Sequence, residues 1–178
     1  MQKIFSIITI SLACLLSANA RAQSWSTTSD ILALALPALA ATQTFRQQDW
    51  DGAAQLTWTL GSTLVTTEIL KSQIREVRPD GSGNDSFPSG HAAVAFASAR
   101  FIQKRYGDQI NPIALYGAAS LTALARVEAN KHYWKDTVTG AALGYAMAEY
   151  FTEASQGKGL SIWPLPAGGL SLVYTQSW

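Results

Sequence analysis

The chain has 178 residues, and its 13 Lys and Arg against 12 Asp and Glu give a formal charge of +1, which supplies no basic footprint for a nucleic acid. Charged residues make up 14% and apolar residues 48%, a composition that excludes a disordered chain. No repeat or linker divides it, so one folded domain is expected.

The N-terminus reads as an export signal. Lys3 supplies the positive region, Ile4 to Leu16 the apolar stretch, and Ala20-Arg21-Ala22 an A-x-A cleavage pattern before Gln23. Removing residues 1–22 takes away Cys14, the only cysteine, so the mature chain has no thiol for a disulfide, for catalysis or for a metal. Residues 23–158 then form the working domain.

Hydrophobic periodicity and breakers predict five helices, at about 29–45, 50–78, 89–106, 111–127 and 137–154, punctuated by Gly81, Gly83, Pro88, Gly107 and Pro112. The fold class is all-α, a helical bundle. Gly140 and Gly144, four residues apart, predict a helix whose backbone comes close to a neighbour. The charge-free stretches 31–45, 52–67, 86–99, 110–125 and 137–148 fall short of the about 20 apolar residues of an unstrained membrane span. A water-soluble or membrane-adjacent bundle is therefore favoured over a spanning one, with the apolar faces of 52–67 and 110–125 packed inward. The tail, residues 159–178, alternates in Leu160 to Trp163 and Leu170 to Trp178 around a Pro- and Gly-rich turn, which predicts a β-hairpin capping the bundle.

Three short segments carry chemistry. Lys71 and Arg78 are seven apart, close to two turns of the second predicted helix, so both cations fall on one face; alone, the pair reads better as an ordinary basic helix end. In Phe87-Pro88-Ser89-Gly90-His91 a helix begins, and its free N–H groups and dipole attract an anion. Gly90 admits that anion to the backbone, Ser89 offers a hydroxyl and His91 a proton, although the same residues also describe a plain N-cap. In the third segment, His132 and Asp136 are four apart, so the carboxylate can accept the Nδ1–H and leave Nε2 with its lone pair, and Arg126 adds a forked donor suited to phosphate. Asp136 could equally cap the fifth helix, and the two roles are compatible. Together the segments describe a phosphate cradle with an attacking histidine and a proton donor.

The pattern Lys71-x6-Arg78-Pro79, Pro88-Ser89-Gly90-His91, Arg126-x5-His132-x3-Asp136 resembles the three-part signature of the type-2 phosphatidic acid phosphatase and vanadium haloperoxidase superfamily. The family usually carries Ser or Gly before the third-segment Arg, where this chain has Ala125. The resemblance implies a phosphatase in which His132 attacks phosphorus, Asp136 orients its ring, His91 serves the leaving oxygen, and Lys71, Arg78, Ser89, Gly90 and Arg126 hold the phosphoryl oxygens. It implies no cofactor and no metal; no zinc or calcium pattern is present in the sequence. The expected substrate is a phosphorylated lipid or a small phosphomonoester, met at a membrane surface in the periplasm or on the periplasmic face of a bacterial membrane. Two alternatives stand beside it. One is a haloperoxidase holding vanadate in the same pocket, which the greater length of those enzymes disfavours. The other is a non-catalytic envelope binding protein, which the full set of signature groups disfavours.

Overall fold

The computed structural model describes the backbone of residues 2–154, 159–164 and 170–175, and the side chains of 21–154 apart from residue 108. Five helices follow one another: α1 (Gln2–Arg46), α2 (Trp50–Gln73), α3 (Gly90–Tyr106), α4 (Pro112–Glu128) and α5 (Trp134–Phe151). The tail pairs as an antiparallel ribbon of β1 (Gly159–Pro164) and β2 (Leu170–Thr175), with Gly159 opposite Thr175 and Pro164 opposite Leu170. The predicted capping of the bundle by this ribbon lies outside the described residues.

α3 is the axis of the bundle and touches the other four helices. Its alanines Ala92, Ala93, Ala95, Ala97 and Ala99 have no exposed surface, because small side chains let four neighbours approach one helix at once. Phe101, Ile102 and Tyr106 carry the core onward to Leu36 and Ala40 of α1, Leu56 of α2 and Leu115 of α4. α5 lies closest. A β-carbon on Gly140 would stand 2.3 Å from the Ser89 carbonyl oxygen, and one on Gly144 would collide with the Ala93 carbonyl, so both positions require glycine at this spacing.

Boundaries of three helices differ from expectation. α1 runs unbroken from residue 2 rather than starting near 29. α2 stops at Gln73, five residues early, with Ile74 already extended, so Arg78 is not on the helix that carries Lys71. Pro79 disfavours helical geometry only at Arg78, but the chain leaves the helix sooner because residues 74–89 make loop contacts of their own: Ser86 N–H donates to the Glu76 carbonyl and Arg78 N–H to that of Gly83. α5 starts at Trp134, and Asp136 sits one turn inside it, where its carboxylate accepts from the Tyr133 N–H at 2.8 Å.

α2 is also inverted relative to expectation. Its buried stripe is Gly52, Leu56, Thr59, Thr63 and Thr67, while Trp58, Leu64, Val65 and Ile69 face outward. The threonines can be buried because their hydroxyls donate one turn back, Thr63 to the Thr59 carbonyl at 2.6 Å and Thr67 to that of Thr63 at 2.7 Å. Among the described residues no helix is long and apolar enough to cross a membrane.

Candidate active site

The site forms where the loop 74–89, the start of α3 and the turn between α4 and α5 meet. Asn130 builds that turn: it follows the end of α4 in the left-handed region at φ 55°, a conformation Asn tolerates better than most side chains. The chain then doubles back, and the Arg126 carbonyl accepts from the N–H groups of Lys131 and His132 at 3.0 and 3.3 Å. The turn is stitched to the loop by the Asp80 N–H on the Asn130 carbonyl, by Lys131 on Asp80 at 2.6 Å and by Lys135 on Glu76 at 2.6 Å.

His132 is 2% exposed, and its Nδ1 lies 2.6 Å from the Ser86 carbonyl oxygen. A carbonyl only accepts, so Nδ1 carries the proton and Nε2 keeps its lone pair. The expected bond from Nδ1 to Asp136 is not made: the nearest carboxylate oxygen is 3.8 Å away. That oxygen, Asp136 Oδ2, instead accepts from the Ser86 hydroxyl at 2.5 Å and from the Tyr133 N–H. Asp136 thus holds Ser86 and the start of α5, and Ser86 holds the imidazole. Burial lowers the pKa of His132, and the charges of Arg126, Arg78 and Lys71 lower it further, to about 3 against the pull of the Ser86 bond.

The cations gather around this ring. Lys71, in the last turn of α2, brings its ammonium to the first residue of α3, 3.9 Å from where a β-carbon on Gly90 would stand. Arg78 reaches in from the loop with Nη2 on Asp85 at 2.8 Å, and Arg126 from the last turn of α4 is 5% exposed. The Nε atoms of both arginines are buried with no hydrogen-bond partner among the described residues, as is Asp136 Oδ1. Two guanidinium groups with idle buried donors are a costly arrangement that an incoming anion relieves. Ser89 caps α3, but its hydroxyl is 3.5 Å from the Ala92 N–H, and its own N–H donates to the Asp136 carbonyl at 3.0 Å. Ala125, the position that departs from the family pattern, is fully buried.

His91, on the first turn of α3, is about one-third exposed, and its Nε2 lies 2.9 Å from Asp30 Oδ1 of α1. The same oxygen is 3.3 Å from Arg126 Nη1, which also reaches the Ser29 hydroxyl at 3.2 Å. Burial lowers the His91 pKa, Arg126 and Lys71 lower it further, and Asp30 opposes them. The structure therefore brings Lys71, Arg78, Ser89, Gly90, His91, Arg126, His132 and Asp136 to one place. Sequence reasoning missed Asp30 and Ser86. Asp30 opens a predicted helix and reads as an ordinary first-turn acid, and the acceptor on Ser86 is a backbone carbonyl, which every residue type has. Among the described residues, no three His, Cys, Asp or Glu side chains are grouped to hold a metal ion.

The chain is similar to known proteins in sequence and in fold. Over 109 residues the chain is 39% identical to a lipid A 1-phosphatase of Porphyromonas gingivalis, a match covering 58% of this chain and 24% of that protein, so it spans about a quarter of that relative's length. It is 27% identical over 143 residues to a lipid A 4′-phosphatase of Helicobacter pylori, covering 72% and 70% of the two chains. Its fold matches a transmembrane PAP2-type phosphatidylglycerolphosphate phosphatase of Bacillus subtilis with a TM-score of 0.58 at 22% identity over 83% of this chain and 90% of that one. It also matches LpxE of Aquifex aeolicus, with a TM-score of 0.52 at 21% identity over 68% and 84%. The PAP2 superfamily model covers residues 52–159, which include every residue of the cradle around His132, and on that ground the chain belongs to the PAP2 superfamily.

Proposed function

We propose that the protein is a metal-independent phosphatase that removes a phosphate monoester or pyrophosphate group from a lipid through a phosphohistidine at residue 132. One observation carries the reading: a buried neutral imidazole, with Nδ1 committed to a backbone carbonyl, faces a ring of cations with its Nε2 lone pair free. The Nε2 lone pair forms a bond to phosphorus as the phosphorus–oxygen bond to the leaving group breaks, and His91 gives its proton to that oxygen. The cation that develops on His132 is stabilised by the Ser86 carbonyl, still holding Nδ1–H, and by the Asp136 carboxylate 3.8 Å away. Water then attacks phosphorus, its proton passes to His91, the N–P bond breaks and inorganic phosphate leaves. Lys71, Arg78, Arg126, the Ser89 hydroxyl and the Gly90 amide spread the charge on the non-bridging oxygens, which is the main task in phosphoryl transfer.

The lipid A phosphatases among its relatives support a lipid substrate, and so does the outward apolar face of α2 beside the exposed Ile31 and Leu34 of α1 and Val138 of α5. The reading includes export by residues 1–22 and work at a membrane surface. Phosphate release from lipid A, phosphatidate and a soluble phosphomonoester, each with and without EDTA, tests it. Release from a lipid that survives chelation and is blocked by vanadate is expected. Activity abolished by EDTA and restored by a divalent ion would overturn metal independence, and activity on the soluble ester alone would overturn the lipid assignment.

A further inference from the structure

The two histidines are anchored in opposite senses. His132 is held by Nδ1, which leaves Nε2 for phosphorus; His91 is held by Nε2 on Asp30, which leaves Nδ1 for the leaving oxygen. Asp30 belongs to α1, outside the family-matched residues and outside the three signature segments. It is the carboxylate paired with His91, and it shares its oxygen with Arg126.

We propose that Asp30 is a positioning residue for the proton transfer: it orients the His91 ring toward the leaving group and supports the imidazolium that must form when water is deprotonated. The inference rests on the phosphatase reading above. The charged groups around His91 are Asp30 from α1, Lys71 from α2 and Arg126 from α4, while α5 meets α3 through Gly140 and Gly144 and turns Asp136 toward Ser86 and Tyr133. Two of those three charges are positive, so Asp30 is the counterweight. Losing it lowers the affinity of His91 for its proton. The acid form needed for the leaving group is then lost at a lower pH.

The test compares wild type, Asp30→Asn, Asp30→Glu, His91→Ala and the Asp30→Asn/His91→Ala double variant on phosphatidate and on p-nitrophenyl phosphate. With phosphatidate, whose alkoxide leaving group needs a proton, kcat of Asp30→Asn should fall about tenfold. The basic limb of its pH profile should move down by about 0.5 to 1 unit, since Asp30 is half exposed and its field is partly screened. With p-nitrophenyl phosphate, whose leaving group needs none, the rate of the first burst of p-nitrophenol, which precedes hydrolysis of the phosphoenzyme, should change less than twofold. Asp30→Glu should recover most of the phosphatidate rate, and Asp30→Asn should add nothing in the His91→Ala background. An equal loss on both substrates, an unmoved pH limb, or additivity with His91→Ala would overturn the proposal. Wild type inactive on both substrates would instead overturn the phosphatase reading itself.

Discussion

The two ends of α3 bury the same chemistry to opposite effect. At the C-terminal end, about 22 Å from Gly90 by helix rise, Arg105 places Nε and Nη2 on the two oxygens of Asp49 at 2.8 and 2.6 Å. Asp49 also accepts from the Gly52 N–H and the Tyr106 hydroxyl, whose oxygen lies 2.8 Å from that of Thr44. Each nitrogen of Arg105 has a partner, Nη1 reaching Gln55 and the Glu153 carbonyl, and the Arg105 bonds hold the Asp49 carboxyl below its ordinary pKa. At the N-terminal end, Arg78 and Arg126 leave buried nitrogens idle, and burial lowers the pKa of Arg126. A satisfied ion pair ties helices together, whereas an unsatisfied set of cations is held by the rest of the fold and waits for an anion. The cost of the second arrangement is what makes it the candidate working end.

Substitutions at the two ends should therefore separate activity from stability. The largest effect is expected for His132→Ala, which should lower turnover on the order of 10³-fold or more while the melting temperature stays close to wild type. Arg126→Met should follow, losing on the order of 10²-fold in kcat/KM with stability unchanged or raised, because the charge it removes is poorly compensated. Arg105→Ala should do the reverse. It strands Asp49 and costs about 3 kcal/mol in denaturant unfolding, with kcat of the folded fraction within twofold of wild type. Equal behaviour of the two arginine variants would erase the distinction between the ends.

Two glycines one turn apart sharpen it. A methyl group at Gly140 meets the carbonyl of Ser89, the residue that caps α3 at the site, whereas one at Gly144 meets Ala93, further along the helix. Both Gly→Ala variants should lose about 1–3 kcal/mol, and only Gly140→Ala should also lose activity out of proportion to its folded fraction.

The smallest expected effect is in the pH dependence of stability. His132 has its folded pKa depressed to about 3, so as pH falls from about 6.5 the unfolded chain takes a proton that the folded chain refuses, and stability declines. The carboxyl of Asp49 is also depressed, so its contribution is present above the unfolded value near 3.8 and is lost only as pH falls through the folded one. Between pH 7 and 5, wild type should lose about 2 kcal/mol more than His132→Ala, while Asp49→Asn should track wild type over that window. Identical slopes for wild type and His132→Ala would show that His132 is not held neutral.

The helices were legible because alanine and leucine periodicity and capping residues such as Ser89 and Asn111 are local signals, and α3 and α4 lie within one residue of their predicted limits. The end of α2 was not legible, because hydrogen bonds within the loop 74–89 outweigh its helix propensity. Nor was the outward apolar face of α2: periodicity finds a stripe but not which side meets the core, and buried threonines are read as polar although their hydroxyls are spent on their own helix. At the site, side chains in recognisable order were found and partners were not. The spacing of His132 and Asp136 suggested a bond that the Ser86 carbonyl makes instead, and Asp30 comes from a helix some 60 residues upstream of His91 with no motif around it.

The proposed phosphohistidine forms at Nε2 because the Ser86 carbonyl holds Nδ1. Rapid quenching of His91→Ala protein during turnover of p-nitrophenyl phosphate, followed by mass spectrometry and phosphorus NMR, tests it most directly. An acid-labile, alkali-stable phosphoryl group on residue 132, attached at Nε2, is expected. A phosphoryl group on another residue, or on Nδ1 of His132, would contradict it.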